Sequence, residues 1–346
     1  MHTQEDEEKI IQLIRTRQEA NIRLAFEISR GLENGYGQEL ADYLQQYPLF
    51  CQEYGLEIQY LLSSSTLSLG SFRIIKEIPK GIGWFQHITD LWAEEQAFTT
   101  LPPEIGQLTQ LKYLYLQQNE LQQLPTEIGQ MKSLHELNVS ENTLVALPDE
   151  IGQLQQLTKL DVSVNALTQL PSSIGQLQQL KHLYVSSNPL KYLPSEIGLL
   201  SSLEELLVAN AALLTLPNEL ASLKKLKYMS VHGNNWIHFP MVIFEFGNLQ
   251  HLLADHNQIV DLHSEIRQLS QLQALHLSYN QLTTLPDEIG QLTQLQELDL
   301  QHNQLTTLPE SFGQLEQLGY LILRNNELTQ LPESFGQLKR LEHLWL

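Results

Sequence analysis

Hydrophobic positions recur every 23 residues from Ile88 to the end of the sequence, without insertion or deletion. Each unit reads L-x-x-L-x-L-x-x-N-x-L-x-x-L-P-x-x-I-G-x-L-x-x, as the unit beginning at Leu111 shows. Eleven complete units begin at residues 88, 111, 134, 157, 180, 203, 226, 249, 272, 295 and 318, and a twelfth begins at Leu341 and stops after six residues. A period of this length predicts a stacked-repeat protein, in which neighbouring units bury a common core.

Each part of the unit predicts a different element. Leucines at the fourth and sixth positions alternate with polar residues, which indicates a short strand with one buried face. The asparagine at the ninth position is expected to hydrogen-bond backbone groups where the chain leaves the strand. Proline cannot donate to a strand ladder, so it belongs on the return arc, where the I-G-x-L segment predicts a short helical or 3₁₀ turn. Nine of the eleven full units carry the asparagine: Asn119, Asn142, Asn165, Asn188, Asn234, Asn257, Asn280, Asn303 and Asn326.

This pattern resembles the leucine-rich-repeat family over about three quarters of the chain. The L-P-x-x-I-G-x-L arc is most similar to the 23-residue class found in Scribble and Erbin, Ras-suppressor, plant Ras-group, Roco and bacterial repeat proteins. The resemblance implies an α/β fold, a right-handed solenoid shaped as a horseshoe, with a parallel β-sheet on its concave side. By analogy alone it implies a small GTPase or another signalling protein as partner, because one scaffold serves many ligands.

The pattern fades before the first full unit, over residues 65–87. Ile78, Ile82 and Phe85 match the second half of a unit, whereas the first half, from Ser65, does not match. We interpret residues 65–87 as a degenerate capping repeat that shields the edge of the solenoid formed by residues 88–346.

Residues 1–64 are predicted to form a small α-helical N-terminal cap region. Apolar residues recur at helical spacing from Ile10 to Ile28, then from Leu40 to Tyr47, and again from Tyr54 to Leu61. The lone cysteine, Cys51, lies among aromatic residues and is expected to be a small buried hydrophobe.

Composition narrows the classes of partner and compartment. The net charge of −20 disfavours nucleic acid and anionic membranes as ligands. A single cysteine excludes an intramolecular disulfide framework and fits a reducing compartment. The acidic start of the chain lacks the features of a signal peptide, and no apolar run is long enough to span a bilayer. These features predict a cytoplasmic protein.

No motif of an enzyme or of a cofactor site is found in the sequence. It contains no phosphate-binding G-x-x-x-x-G-K-[ST], no H-E-x-x-H, no G-x-S-x-G and no paired C-x-x-C. We therefore expect a protein without catalytic activity and without a cofactor.

A partner-binding surface is predicted where strand side chains point away from the core, at the third, fifth, seventh and eighth positions of each unit. Aromatic and histidine side chains are frequent there, and tyrosine and tryptophan dominate binding hot spots. The alternative is that these residues reflect strand propensity alone. The predicted partner-binding residues are Tyr184, Leu207, Tyr228, His232, His251, Leu253, Asp255, His256, His276 and Tyr279.

The histidines of this set fall on neighbouring predicted strands beside Asp255. A metal site there is disfavoured, because an open sheet provides no enclosed tetrahedral geometry. Partner binding that depends on pH is the preferred hypothesis, since histidine side chains ionise near neutral pH.

The units that begin at residues 203, 226 and 249 depart from the consensus together. The asparagine is replaced by Ala211, and the glycine by Ala221, Phe244 and Arg267. Apolar residues on one flank predict a second interface, with a partner or in a weak homo-oligomer. Compensated core packing is the alternative, especially for Trp236, Phe239 and Phe246, which occupy inward positions. The predicted second interface comprises Leu214, Ile237, Met241, Val242 and Val260.

Together these features favour a non-catalytic scaffold or adaptor that binds a protein on its concave face, in signalling. The alternative is a regulatory or targeting module of a larger enzyme or effector that continues beyond Leu346, because the last unit stops partway along a strand.

Overall fold

The computed structural model describes residues 4–16, 18–30, 32, 38–44, 47, 50–51, 64–69, 77–78 and 80–346. Internal contacts divide the chain into two compact units, Met1–Ala166 and Leu167–Leu346, here called the N-terminal and C-terminal units. Each unit is described by itself.

The N-terminal unit begins with α-helices α1 (Gln4–Arg15), α2 (Glu19–Arg30) and α3 (Gln38–Leu44). The first two predicted helical segments are confirmed, although the first is broken in two. Thr16 ends α1: its hydroxyl donates to the Leu13 carbonyl at 2.7 Å and is placed to accept from the amide of Asn21 in α2 at 3.1 Å. The third predicted segment, from Tyr54 to Leu61, lies outside the described residues.

Cys51 is buried near the end of the described helical region. Its Sγ lies 3.1 Å from the Leu44 carbonyl oxygen, to which it donates a hydrogen bond, and burial raises the pKa of the thiol to about 12. The prediction of a small buried hydrophobe is confirmed, since a thiol held in its neutral form is a poor nucleophile.

Thirteen short strands in the described residues form one parallel sheet in chain order. The strands are β1 (Thr66–Ser68), β2 (Asp90–Trp92), β3 (Tyr113–Tyr115), β4 (Glu136–Asn138), β5 (Lys159–Asp161), β6 (His182–Tyr184), β7 (Glu205–Leu207), β8 (Tyr228–Ser230), β9 (His251–Leu253), β10 (Ala274–His276), β11 (Glu297–Asp299), β12 (Tyr320–Ile322) and β13 (His343–Trp345). From β2 onward each strand covers the third to fifth positions of its unit, which confirms the predicted leucine-rich-repeat solenoid.

Strand β1 departs from the 23-residue register. Leu67 pairs with Leu91, an offset of 24 residues, so the segment before the first full unit contains one extra residue. With this shift Leu67 and Leu69, both buried, occupy the fourth and sixth positions. A comparison at a fixed offset of 23 therefore misses a strand that the structure contains.

The return arcs carry short 3₁₀ helices, as the I-G-x-L segment predicts. Glycine is required where arcs approach closely: a Cβ on Gly198 would overlap the backbone oxygen of Glu219 in the next arc. The 3₁₀ helices are Lys80–Trp84, Pro103–Gln107, Thr126–Gln130, Asp149–Gln153, Ser172–Gln176, Ser195–Leu199, Asn218–Ser222, Met241–Glu245, Ser264–Gln268, Asp287–Gln291, Glu310–Gln314 and Glu333–Gln337.

The asparagines of the ninth position link consecutive units through their side chains. The Asn257 amide donates to the carbonyls of Val231 and Ala254 at 3.2 and 3.0 Å. Its oxygen accepts from the backbone amides of Asn234 and Trp236 at 3.0 and 3.1 Å. One buried side chain thereby satisfies backbone groups of its own unit and of the preceding unit, as predicted.

We expect Asn280→Ala to lower the free energy of unfolding by about 2–4 kcal/mol, because it leaves several buried backbone groups without partners. The Asn280 amide donates to the carbonyls of Ala254 and Leu277, and its oxygen accepts from the amide of Ile259. Urea denaturation measures the change. The control is Gln281→Ala at the exposed neighbouring position; equal effects of the two substitutions would contradict the role given to the asparagine.

Candidate functional site

The exposed sheet face of the C-terminal unit contains all ten residues of the predicted binding surface. This C-terminal face comprises the third, fifth, seventh and eighth positions of the units beginning at residues 180 to 318, together with His343 and Trp345. In each strand from β6 to β12 the middle residue is buried, and its neighbours face away from the core. None of the ten predicted residues is buried, whereas Ser230, Ala274 and Asp299 on the same face are.

Parallel, in-register pairing explains how the side chains are grouped on this face. Tyr228 pairs with His251, and Ala274 with His251, so equivalent positions of neighbouring units lie side by side. Neighbouring strands are about 4.8 Å apart, which is close to the spacing of stacked rings. Aromatic and histidine rings at the same position of neighbouring units therefore stack on one another.

The first group surrounds Glu205. The Tyr184 hydroxyl donates to Glu205 Oε2 at 2.5 Å, and His182 Nδ1 lies 2.9 Å from the same oxygen. Of these residues only Tyr184 was predicted as a binding residue. Glu205 fixes the rotamers of two rings, which lowers the entropy lost when a partner contacts them.

Tyr228 and His251 form the second group, on β8 and β9. Their ring centroids lie 5.5 Å apart with an interplanar angle of 30°. Burial, followed by the charges of Glu205 and Asp255, raises the pKa of the Tyr228 hydroxyl, which therefore remains protonated and able to donate at neutral pH.

A polar cluster forms next to these rings. His232 Nδ1 lies 2.9 Å from Ser230 Oγ, and Asp255 Oδ1 accepts from the backbone amide and hydroxyl of Ser278 at 2.9 and 2.7 Å. Burial lowers the pKa of His232, partly opposed by the charge of Asp255 and reinforced by His256. His232 is therefore neutral at pH 7.

A three-ring stack occupies the eighth position of consecutive units. His256 and Tyr279 stack at 4.3 Å, and Tyr279 and His302 stack at 4.1 Å. His302 Nε2 is held 2.9 Å from the Asn325 side-chain amide. The prediction included His256 and Tyr279 but missed His302, which the 23-residue offset from Tyr279 would have identified.

The backbone explains why the rings of this stack share one orientation. The eighth position is left-handed in every unit from 88 to 318, with φ of 52°, 53° and 53° at His256, Tyr279 and His302. Gly233 is the only glycine in this column, so the other side chains accept a conformation that costs about 1–2 kcal/mol each.

The remaining predicted residues, Leu207, Leu253 and His276, lie between these groups at partly exposed positions. His276 Nε2 is 3.2 Å from Glu297 Oε1. Among the described residues there is no group of three or more histidine, cysteine, aspartate or glutamate side chains placed to hold a metal ion.

Of the five residues predicted for the second interface, four are exposed or partly exposed in the C-terminal unit and one is buried. Leu214, Ile237 and Met241 are exposed by 62%, 53% and 50%, and Val260 is partly exposed. Val242, in contrast, is buried at 5% exposure. It turns inward because the 3₁₀ helix Met241–Glu245 directs three consecutive apolar side chains toward the core.

Phe244 accounts for the irregular arc in this region. It occupies the glycine position of its unit, is buried, and packs against the Phe239 ring at 5.8 Å. A depression of about 300 Å³ opens beside it. Trp236, Phe239 and Phe246 are buried, as the core-packing alternative predicts.

Stacked short strands, an asparagine column and 3₁₀ arcs define a parallel-sheet repeat solenoid that presents a broad side-chain surface. The family profile described as "Leucine-rich repeat region" matches residues 137–238 and 260–346. The chain belongs to the leucine-rich-repeat family. None of the helices in the described part of the chain is long and apolar enough to cross a membrane.

Solved structures support the same assignment. A leucine-rich-repeat protein of Leptospira interrogans is 36% identical, with a TM-score of 0.67, over 88% of this chain and 86% of that chain. An internalin from Listeria monocytogenes is 21% identical over 89% and 94% of the two chains, with a TM-score of 0.69, and shows the fold alone. The Toll–Spätzle complex of Drosophila matches 78% of this chain and 37% of that chain, at 25% identity and a TM-score of 0.70. No protein of curated function matches the sequence.

The lowered pKa of His232 predicts a pH dependence of stability. Below pH 6.5, the usual pKa of histidine, the unfolded chain binds a proton at His232 more readily than the folded chain does. The contribution of neutral His232 to the stability of the folded state is therefore present above pH 6.5 and is lost as the pH falls through the lowered pKa of the folded state. We expect His232→Gln to reduce the decline in melting temperature between pH 7 and pH 5. The control is His87→Gln, at an exposed position outside this face; identical slopes for the two variants would contradict the assignment.

Proposed function

We propose that this protein is a non-catalytic scaffold or adaptor that holds a protein partner on the C-terminal face. The observation that carries the proposal is the set of pre-ordered rings on that face. Tyr184 is held by Glu205, Tyr228 lies against His251, and Tyr279 is stacked between two histidines. Large side chains with fixed rotamers lose little entropy on binding.

The size of the face favours a protein over a small molecule. Eight strands about 4.8 Å apart span about 34 Å, and the six residues from the third to the eighth position cover about 20 Å. The product, about 700 Å², is close to the area that one partner buries in an ordinary protein complex. Small-molecule sites are enclosed cavities, in contrast to this open sheet.

The comparisons support protein binding as a general activity of the family. The Toll–Spätzle structure is a complex of two proteins, and proteins of this repeat class are typically interaction modules without catalysis. For the present chain we propose a signalling partner, such as a small GTPase, by analogy with the repeat class. The lone buried cysteine supports a cytoplasmic location.

We expect Tyr228→Ala combined with His251→Ala to abolish capture of the partner, because both rings are removed from the middle of the face. The melting temperature should change little, since both side chains are partly exposed. Affinity capture with quantitative mass spectrometry measures the loss relative to the unmodified chain. The matched control is Leu214→Ser combined with Ile237→Ser on the flank, which should leave capture intact; loss of capture by the flank variant alone would refute this placement.

A second proposal is that the flank formed by Leu214, Ile237 and Met241 mediates weak self-association. These three side chains lie on two consecutive units, Leu214 on one and the other two on the next, and are at least half exposed, so covering them removes apolar surface from water. Sedimentation velocity at increasing concentration should show a dimer that is lost in the Leu214→Ser and Ile237→Ser variant. A chain that stays monomeric at high concentration would refute this proposal.

A further inference from the structure

The exposed sheet face of the N-terminal unit has a different chemistry from the C-terminal face. This N-terminal face comprises the third, fifth, seventh and eighth positions of the units beginning at residues 88, 111, 134 and 157. Its sixteen residues include six carboxylates, one lysine and no histidine. The residues are Asp90, Trp92, Glu94, Glu95, Tyr113, Tyr115, Gln117, Gln118, Glu136, Asn138, Ser140, Glu141, Lys159, Asp161, Ser163 and Val164.

Aromatic rings occupy the middle of this face. Trp92 on β2 stacks on Tyr115 on β3, with ring centroids 4.2 Å apart and an interplanar angle of 27°. Trp92 remains 37% exposed. Tyr113, the other ring of β3, pairs in register with Asp90 on one side and with Glu136 on the other. The rings are therefore bordered by carboxylates on both neighbouring strands.

Hydrogen-bond acceptors outnumber donors across the face. Glu94 Oε2 and Gln117 Oε1, at the seventh position of neighbouring units, are shielded by protein and have no donor. Two of the donors on the face already bond its carboxylates: the Tyr115 hydroxyl donates to Glu136 at 3.2 Å, and the Gln118 amide donates to Glu141 at 3.0 Å. A ligand that supplies donors and positive charge is the complement of this surface.

Burial and the nearby Glu136 carboxylate raise the pKa of Tyr115 to about 12, so its hydroxyl remains protonated, and the face contains no histidine. At its edge, an open depression of about 470 Å³ is bordered by Glu95 and Glu141 of the face and by one further carboxylate, that of Glu120.

We propose that the N-terminal face binds an arginine-rich peptide segment, whose guanidinium groups stack on the Trp92–Tyr115 pair and form ion pairs with Asp90, Glu94 and Glu136. Arginine fits better than lysine, because its planar group combines stacking on a ring with several fixed donors. An apolar peptide would bury these carboxylates without compensation, and nucleic acid would be repelled. This surface lies in the N-terminal unit and requires a partner chemistry different from that proposed for the C-terminal face.

The test uses the full chain and a fluorescein-labelled peptide of four Gly-Arg repeats, with fluorescence anisotropy in 50 mM salt. We expect Trp92→Ala combined with Glu94→Gln to weaken binding at least tenfold. The matched control on the C-terminal face, Tyr320→Ala combined with Glu297→Gln, also removes one aromatic ring and one charge, and should change binding less than twofold. The corresponding Gly-Lys peptide should bind several-fold more weakly than the arginine peptide.

Two outcomes would overturn the proposal. Equal weakening in both double variants would show that the net charge of −20 attracts any cationic peptide, and absence of binding at 50 mM salt would exclude the site directly. Circular dichroism melting checks that each variant folds. If Trp92→Ala lowers the melting temperature, the variant Glu94→Lys combined with Glu136→Lys is tested in place of the tryptophan variant, because both carboxylates lie at partly exposed positions. Unchanged binding of the arginine peptide to that variant would also overturn the proposal.

Discussion

The stacking of units depends on one interaction, the hydrogen bonding of buried backbone groups by the asparagine of the ninth position. A strand of three residues pairs too few backbone groups to hold its unit in place. Asn257, which is buried, compensates by bonding backbone groups of its own and of the preceding unit. Because an unsatisfied buried amide or carbonyl costs about 1–3 kcal/mol, a unit without the side chain needs another solution. The unit of Ala211 shows one: the Leu190 amide, which an asparagine at position 211 would accept from, donates instead to the Asn188 carbonyl at 2.8 Å.

The fixed distance between neighbouring strands determines how side chains are arranged on the exposed sheet face as well as in the core. In-register pairing places equivalent side chains next to one another, so any ring repeated at one position becomes a stack. The His256–Tyr279–His302 stack and the Trp92–Tyr115 pair arise in this way at different positions of the unit. The core residues are thus constrained by the fold, while the outward positions are free to specify a partner.

The sequence predicts the parts of the structure that repeat and fails where one unit differs locally. The strand positions, the asparagine column, the arcs and the ten outward side chains all follow from the 23-residue period. The shift of β1 does not, because one extra residue precedes the first full unit. The burial of Val242 could not be predicted from the equivalent positions of other units either, because Phe244 replaces the glycine that lets regular arcs pack closely. The left-handed eighth position carries almost no glycine, so composition offers no signal for it.

The two sheet faces carry different ionisable side chains, and this difference bears on what each can bind. Seven of the twelve histidines lie on the C-terminal face: His182, His232, His251, His256, His276, His302 and His343. Burial lowers the pKa of His232, so its ring is neutral at pH 7 and can act as a hydrogen-bond donor or acceptor for a partner. The N-terminal face contains six carboxylates and no histidine. A cationic partner is therefore the complement of the N-terminal face, whereas the rings of the C-terminal face suit a partner held mainly by aromatic contacts.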